Sequence, residues 1–240
     1  MRGGVARITL ARGGFRNRLD AEVMTGLVEA CAAAEDSAAA VVVLAADGPA
    51  FSAGLARGRR WPDPAWPDGV GAVGRLRKPV VAALQGEVLG WGLSLALACD
   101  VRLAASSAVL GLPEVRSGTL PGGGAVARLA RMIGPARTLE MVLLGTRLTA
   151  ARAADWGLVA GVVEPARLAA AVEDAARALA ARAPEALRLA KEAVVAGLDL
   201  PLDDGIRLEQ DLYVLLQTTE DRREGVRAFL ERRTPRFGGR

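Results

Sequence analysis

One glutamate and two glycine-rich junctions are the parts of this sequence whose residue types suit chemistry. Glu114 follows Leu112 and Pro113 directly after a predicted strand. A carboxyl group among apolar residues at the edge of a core has a raised proton affinity, as a general acid or base at neutral pH requires. A glutamate beside a proline is otherwise an ordinary loop residue, and this alternative stays open on the residues alone.

The two junctions, Phe51–Ala56 and Gly86–Gly92, place glycines where the backbone must bend. Such bends expose backbone N–H groups, and the second junction also directs the N-terminus of a helix at the same place. A pair of N–H donors of this kind suits a developing oxyanion. The alternative is that these glycines only form turns. The later triple glycine, Gly122–Gly124, matches no phosphate-binding or dinucleotide-binding pattern and predicts a helix start.

The 240-residue chain contains no histidine. This absence excludes Ser-His-Asp and Cys-His nucleophiles, histidine-ligated zinc or haem, and imidazole bases. Cys31 and Cys99 lie in apolar stretches and share no metal-type spacing, which favours two buried thiols over a disulfide. Proton transfer must therefore fall to groups such as carboxylates, and no metal site is predicted.

The charge pattern argues against nucleic-acid and membrane partners. Lys and Arg total 31 against 27 acidic residues, giving a net charge of +4, and the basic residues are dispersed among carboxylates. The longest apolar run, Ala38–Ala46, is far shorter than a membrane span, and the N-terminus lacks the apolar core of a signal peptide. We expect a soluble, cytoplasmic protein.

Apolar runs and helix-starting residues predict an α/β core followed by helices. The predicted strands are Val5–Leu10, Val41–Ala46, Val80–Leu84, Val101–Ala104 and Val109–Gly111. Helices are predicted from Asp20 to about Glu35, over about Gly92–Cys99, from Thr149, from Pro165, from Pro184, and twice within Leu202–Arg233. From Gly122 onward the pattern predicts almost only helix, while Arg57–Asp68 predicts an irregular loop. These elements predict a core over residues 1–185 and a helical subdomain over 186–240.

The motifs, taken in order and with their spacing, resemble the crotonase superfamily, the enoyl-CoA hydratase/isomerase family, over essentially the whole chain. The matching stretches are Asn17-Arg18-Leu19, Phe51–Leu55, Lys78–Gly86, the second glycine junction, Ala98–Ala104, Leu112–Glu114, Gly118–Leu129, Leu148–Val159 and Thr218–Arg233.

The resemblance implies a crotonase-like spiral of ββα units with a C-terminal helical trimerisation subdomain, assembled as a homotrimer or as a hexamer of two trimers. It also implies an acyl-CoA substrate, whose thioester enolate lies between two backbone N–H groups. By position, these donors are Leu55 and Trp91. No metal or redox cofactor is implied, because CoA is part of the substrate.

Residues for the CoA moiety also follow from the resemblance. The backbone of Ser52, Ala53 and Gly54 is expected near the adenine end of a bent CoA. Arg18 and Arg57, with Arg59 and Arg60, are candidates for its phosphates.

The sequence departs from the family pattern at the catalytic positions. Hydratases of the family use two glutamates; Glu114 matches the second, and the first falls on Ser94, which cannot act as a base near neutrality. Trp91 replaces a glycine, and Ala56 stands where aspartate is frequent. The Trp91 amide is retained whatever the side chain, and the indole is expected in the acyl pocket or its wall.

A single glutamate favours one reaction of the family. Glu114 alone can move a double bond by taking a proton from C2 and returning it at C4. Atypical hydration is the other option, with Ser94 and the Gly122 amide holding water, and it forgoes a dedicated acid–base group. The alternative from another class is a non-catalytic acyl-CoA-binding homologue.

Overall fold

The computed structural model describes residues 4–56 and 66–239, in which strands and helices alternate. The strands are β1 (Val5–Leu10), β2 (Val41–Ala46), β3 (Val80–Leu84), β4 (Glu87–Leu89), β5 (Val101–Ala105), β6 (Val109–Gly111), β7 (Arg147–Thr149) and β8 (Gly161–Val163). The helices are α1 (Ala21–Asp36), α2 (Gly69–Gly74), α3 (Trp91–Leu97), α4 (Ala125–Leu143), α5 (Ala150–Asp155), α6 (Leu168–Ala180), α7 (Pro184–Gly197), α8 (Leu202–Gln217) and α9 (Glu220–Leu230).

A five-stranded parallel sheet in the order β1-β2-β3-β5-β8 forms the centre of the molecule. Strand β2 shows why these strands are apolar without alternation. Val42 and Leu44 pack into the larger core with α1, whereas Val41 and Val43 pack on the opposite face against Leu168 and other residues of α6. Both faces of the sheet are covered, so both sets of side chains must be apolar.

A second sheet of three short strands lies beside the first and carries the site described below. In it, β4 pairs with β6 in parallel and β6 pairs with β7 antiparallel. The chain passes from β3 to β4, and again from β5 to β6, through connections of two and three residues before the next helical segment. This repeated strand, strand, helix order is the predicted spiral of ββα units.

Most predicted elements are confirmed. Strands β1, β2, β3 and β6 have the predicted bounds, and Asp20 caps α1 by accepting a hydrogen bond from the Val23 amide (3.1 Å). Thr149 caps α5, Pro184 begins α7, and two helices follow residue 201. Pro165 begins a 3₁₀ turn that leads into α6.

Three short strands were not predicted. The expectation of almost only helix after Gly122 is wrong at β7 and β8, and β4 lies inside the second glycine junction. A three-residue strand is too short to show a period and is defined by the strand it pairs with. The buried helix begins at Trp91 and ends at Leu97, so it starts one residue earlier and ends two residues earlier than the predicted helix over about Gly92–Cys99.

Several other expectations concern the chain as a whole. Cys31 and Cys99 are buried free thiols, and burial raises their pKa values to about 11 and about 12. Within residues 4–56 and 66–239, no helix has the length and hydropathy needed to cross a membrane. Most of the predicted loop 57–68 lies outside the described residues. The domain boundary at residue 185 stays a prediction.

Candidate active site

A cavity of about 440 Å³ lies on the second sheet, where the two glycine junctions meet the segment after β6. Its lining includes Leu55, Trp91 and Glu114, together with further polar residues. The parallel pairing of β4 with β6 brings Leu89 opposite Gly111, so the segments that follow both strands emerge side by side. Residues far apart in the sequence therefore share one cavity.

Glu114 is positioned by the turn that follows β6. Leu112 is fully buried and anchors the chain, and a 3₁₀ turn then begins at Glu114. The carboxyl atom Oε2 is buried and has no hydrogen-bond partner among the residues described. Burial raises the pKa of Glu114 above its ordinary value of 4.5. A carboxyl group that resists ionisation and lacks a partner suits proton transfer.

Gly90 makes room for this carboxyl group. It adopts φ +55° and ψ −125°, a conformation that only glycine adopts readily, and a Cβ built on it would overlap Oε1 of Glu114. The Gly90 amide donates to the Gly111 carbonyl (2.9 Å), which ties this junction to β6. The glycine thus sets both the bend of the chain and the distance to the carboxylate.

The raised pKa of Glu114 predicts a pH-dependent stability. A carboxyl group whose pKa is raised by folding stabilises the fold below its unfolded-state pKa, and this contribution is lost as the pH rises through the folded-state pKa. We therefore expect E114Q to have a higher free energy of unfolding than the wild type at pH 8, and an equal one at pH 4. Urea unfolding at both pH values measures this. The exposed-site variant E29Q should match the wild type at both, and a destabilised E114Q at pH 8 would contradict the prediction.

The Leu55 amide is presented by a short extended segment with neighbours on both sides. On one side, Leu19 N–H donates to the Gly54 carbonyl (2.9 Å), and Ala56 N–H donates to the Leu19 carbonyl (2.9 Å). This parallel bridge uses the groups that flank Leu55, so the Leu55 amide is directed to the opposite side. A Cβ on Gly54 would lie 3.1 Å from the Leu89 carbonyl, so this segment packs closely against the chain that leads into α3.

Asn17 holds the segment that pairs with Leu55. It is 2% exposed and has a positive φ of 49°. Its Nδ2 donates to the carbonyls of Asp47 and Ala50 (both 2.8 Å), and its Oδ1 accepts from the Arg12 amide (2.9 Å). Two of these hydrogen bonds fix the turn against the loop that leads to the first glycine junction, and the third closes the turn on Arg12.

Removing these bonds should destabilise the protein. We expect N17A to lower the free energy of unfolding by about 2–4 kcal/mol, because it leaves buried backbone groups unpaired and puts alanine at a positive φ. The glycine variant N17G loses the same bonds without the backbone cost, so it should recover about 1 kcal/mol of that loss. Chemical denaturation of the three proteins tests this. An N17A protein as stable as the wild type would refute the assignment.

Trp91 is the first residue of α3, so its amide lies in the first helical turn, where N–H groups point beyond the end of the helix. Its side chain is half-buried, lines the cavity and packs on the hydrophobic core. The indole carbon Cε3 lies 3.4 Å from where a Cβ on Gly123 would be. The tryptophan therefore covers the glycine turn before α4.

Ser94 and Gly122 are brought together, but away from the cavity wall. The Ser94 hydroxyl is fully buried and donates to the Gly122 carbonyl (2.8 Å). Neither residue lines the cavity that holds Glu114. The predicted pair of Ser94 hydroxyl and Gly122 amide as holders of water stays a prediction.

The residues expected to bind CoA are only partly gathered at this cavity. Ala53, Gly54 and Arg18 line it, and the Arg18 guanidinium donates to the Leu55 carbonyl (2.6 Å). Ser52 is fully buried, and its Oγ accepts from the Gly54 amide (3.3 Å). Arg57, like Arg59 and Arg60, lies outside the described residues.

Three further charged residues at the cavity were not predicted as site residues. Arg16 forms an ion pair with Glu87. Arg147 on β7 packs against Gly111, where an added Cβ would lie 3.3 Å from Arg147 Cγ. The pairing of β6 with β7 places Arg147 at the cavity, and no sequence motif predicted this position. Glu87 was within the second junction, but its strand conformation was needed to locate its side chain. No group of three or more His, Cys, Asp or Glu side chains suited to a metal ion occurs among residues 4–56 and 66–239.

The sequence and the fold are both similar to those of known proteins. The family model for enoyl-CoA hydratase/isomerase matches residues 1–240. A probable enoyl-CoA hydratase of Rhizobium meliloti is 38% identical over 98% of this chain and 95% of its own. A putative enoyl-CoA hydratase/isomerase of Bacillus subtilis is 44% identical over 68% of this chain, a match that spans 63% of the relative's length.

A solved structure extends this likeness to the fold. The crystal structure of an enoyl-CoA hydratase from Bacillus anthracis superposes with a TM-score of 0.92 at 35% identity, over 99% of this chain and 96% of the other. Its fold and the C-terminal helices of the present chain agree with the crotonase architecture. The chain therefore belongs to the enoyl-CoA hydratase/isomerase family, within the crotonase superfamily.

Proposed function

We propose that this protein moves a double bond in an enoyl-CoA, with Glu114 as its single general acid/base. The thioester oxygen is held by the backbone amides of Leu55 and Trp91. Atypical hydration of an enoyl-CoA is the other reaction open to the same site. The observation that carries the proposal is the Glu114 carboxyl group, whose buried Oε2 has no hydrogen-bond partner among the described residues and which lies in the cavity that both amide-bearing residues line.

The reaction requires only one proton-transfer group. The Glu114 carboxylate takes a proton from C2 of a 3-enoyl thioester, and the electron pair passes onto the thioester oxygen. Two N–H donors stabilise that oxyanion. The same carboxyl group returns the proton at C4, the C3=C4 bond becomes C2=C3, and no atoms are gained or lost. Burial raises the pKa of Glu114, and this makes the carboxylate a stronger base than an exposed glutamate for the first step.

The second carboxylate at the cavity is unsuited to share this task. Glu87 is bound in an ion pair with Arg16, so its carboxylate is already engaged by a cationic side chain. Ser94, at the position where hydratases of the family have a glutamate, donates its hydroxyl to the Gly122 carbonyl. This arrangement supports isomerisation above hydration, since hydration needs a positioned water molecule as well as a proton donor.

Solvent exchange tests the proposal. We expect the protein to catalyse the incorporation of deuterium from D₂O at the α-carbon of acyl-CoAs. Mass spectrometry of the acyl-CoA measures this incorporation. Supplied separately, 3-enoyl-CoA should be converted to the 2-enoyl isomer at a rate at least comparable to hydration of 2-enoyl-CoA. Robust hydration without double-bond migration would overturn the preference for isomerisation.

A non-catalytic acyl-CoA binder is the second candidate. The departures at Trp91, Ser94 and Ala56 favour it, because two of them remove a carboxylate expected of a hydratase of the family and the third puts an indole where the family has glycine. Such a binder would hold CoA thioesters tightly and show no exchange with any of them. The exchange experiment therefore separates the two candidates.

We also propose that the protein assembles as a homotrimer or as a hexamer of two trimers. The support is the exposure of large apolar side chains on the last two helices, among them Leu202 (79%) and Phe229 (82%). Light scattering coupled to size-exclusion chromatography gives the mass. A monomer at micromolar concentration would contradict this assembly.

A further inference from the structure

We propose that the Trp91 indole closes the acyl end of the cavity against the glycine turn 122–124, so that the site takes short acyl groups. This inference rests on the proposed acyl-CoA function. In that proposal Trp91 contributes only its backbone amide; here its side chain also determines substrate specificity. It also assigns a class of substrate, thioesters of short-chain acyl groups.

The Trp91 indole lies between the cavity and the glycine turn 122–124. On the cavity side it lines the same space as Glu114. On the other side, the position of a Cβ on Gly123 is 3.4 Å from Trp91 Cε3 and 3.1 Å from Ser94 Cβ. The indole and Ser94 are therefore packed side by side on this turn, as expected for helix positions three residues apart. Because Gly123 has no side chain, the indole ring can pack directly against this turn.

Other parts of the cavity lining differ in character from the indole. They include the charged residues Arg16, Arg18, Glu87 and Arg147, together with Ala53 and Gly54. Charged groups of this kind suit the polar part of a CoA thioester and do not suit an alkyl chain. With the thioester between Leu55 and Trp91, the acyl group must therefore extend towards the indole and the segment after Glu114.

A longer acyl chain would have to pass beyond the indole. The indole blocks the direction of the glycine turn. The remaining side is bordered by Thr119 and Leu120, both exposed, and Leu120 is 66% exposed. A chain deflected there would remain in water, so each methylene beyond the indole would gain little free energy of burial.

Binding of unreactive analogues tests the wall without depending on catalysis. The probes are S-alkyl-CoA thioethers with butyl, hexyl and octyl groups, titrated by calorimetry into the wild-type protein, W91A, W91F and W156A. For the wild type we expect less than a twofold change in affinity from butyl to octyl. For W91A we expect about fourfold tighter binding per methylene, and hence about 16-fold from butyl to hexyl, the value for a buried methylene.

The other two variants guard against misfolding as the explanation. W91F keeps an aromatic ring and should retain most of the wild-type length profile. W156A makes the same truncation at a tryptophan that stacks under Arg137 and Arg152 outside the cavity, so its profile should be that of the wild type. Thermal melting of each protein confirms folding before titration.

The outcomes distinguish this inference from the proposed function. An affinity that rises steadily from butyl to octyl in the wild type, or a W91A profile equal to that of the wild type, overturns the proposed role of the indole. In either case α-carbon exchange by the wild type still supports the proposed enzymatic function. Failure of every thioether to bind overturns both proposals. A W91A profile that rises with length while the wild-type profile is flat supports the wall, even if no exchange is found and the protein is only a binder.

Discussion

The E114Q variant is expected to lose α-carbon exchange by about 10²–10⁴-fold, the usual contribution of a general acid–base group. Glutamine keeps the size of the side chain and cannot take up the proton. The buried Oε2 has no partner among the described residues, so the substitution breaks no hydrogen bond there. The measurement is the initial rate of deuterium incorporation from D₂O into butyryl-CoA, at saturating substrate.

The matched control for this loss is E22Q. The Glu22 side chain is 87% exposed on α1, and the same chemical change there should leave the exchange rate within about twofold of the wild type. If E114Q bound the S-butyl thioether as tightly as the wild type, the loss would lie in the chemical step. An E114Q protein that exchanges at the wild-type rate would remove Glu114 from the mechanism.

The G90A variant is expected to lower exchange by about 10²-fold and the free energy of unfolding by about 1–3 kcal/mol. The loss of activity follows because the new Cβ overlaps Oε1 of Glu114 and displaces the carboxyl group, and a shift of about 1 Å in a reacting group costs about 10²-fold. The loss of stability follows from the φ of +55°, which strains an alanine. Exchange rates and urea unfolding measure the two effects.

G118A separates the two causes. Gly118 also has a positive φ, of 72°, and follows the same 3₁₀ turn as Glu114, but a Cβ there meets nothing within 4 Å. This variant should lose about 1–2 kcal/mol of stability from backbone strain and keep its exchange rate within about threefold. Equal losses of exchange in G90A and G118A would show that the contact with Glu114 is unimportant.

Much of the fold could be predicted from the sequence because strong local patterns lie in it. The run Val41–Ala46 is apolar at every position since both of its faces are buried, so its strand bounds were predictable. Asp20 and Thr149 cap helices by direct bonds to nearby amides, and such bonds depend on a few neighbouring residues. Strands β4, β7 and β8 lacked any such local signal, because three residues become a strand only through a partner.

The candidate site could be predicted in part of its residues but not in its arrangement. The sequence by itself determined that histidine is absent and that Glu114 sits among apolar residues, whereas the roles of the Leu55 and Trp91 amides follow from the family resemblance and stay a prediction. Tertiary structure alone decided that Ser94 donates to the Gly122 carbonyl, that the Trp91 indole covers the glycine turn, and that Asn17 ties two distant loops together. The reason is physical: a residue type fixes which bonds a side chain can form, whereas its direction depends on the free space and partners that distant segments provide.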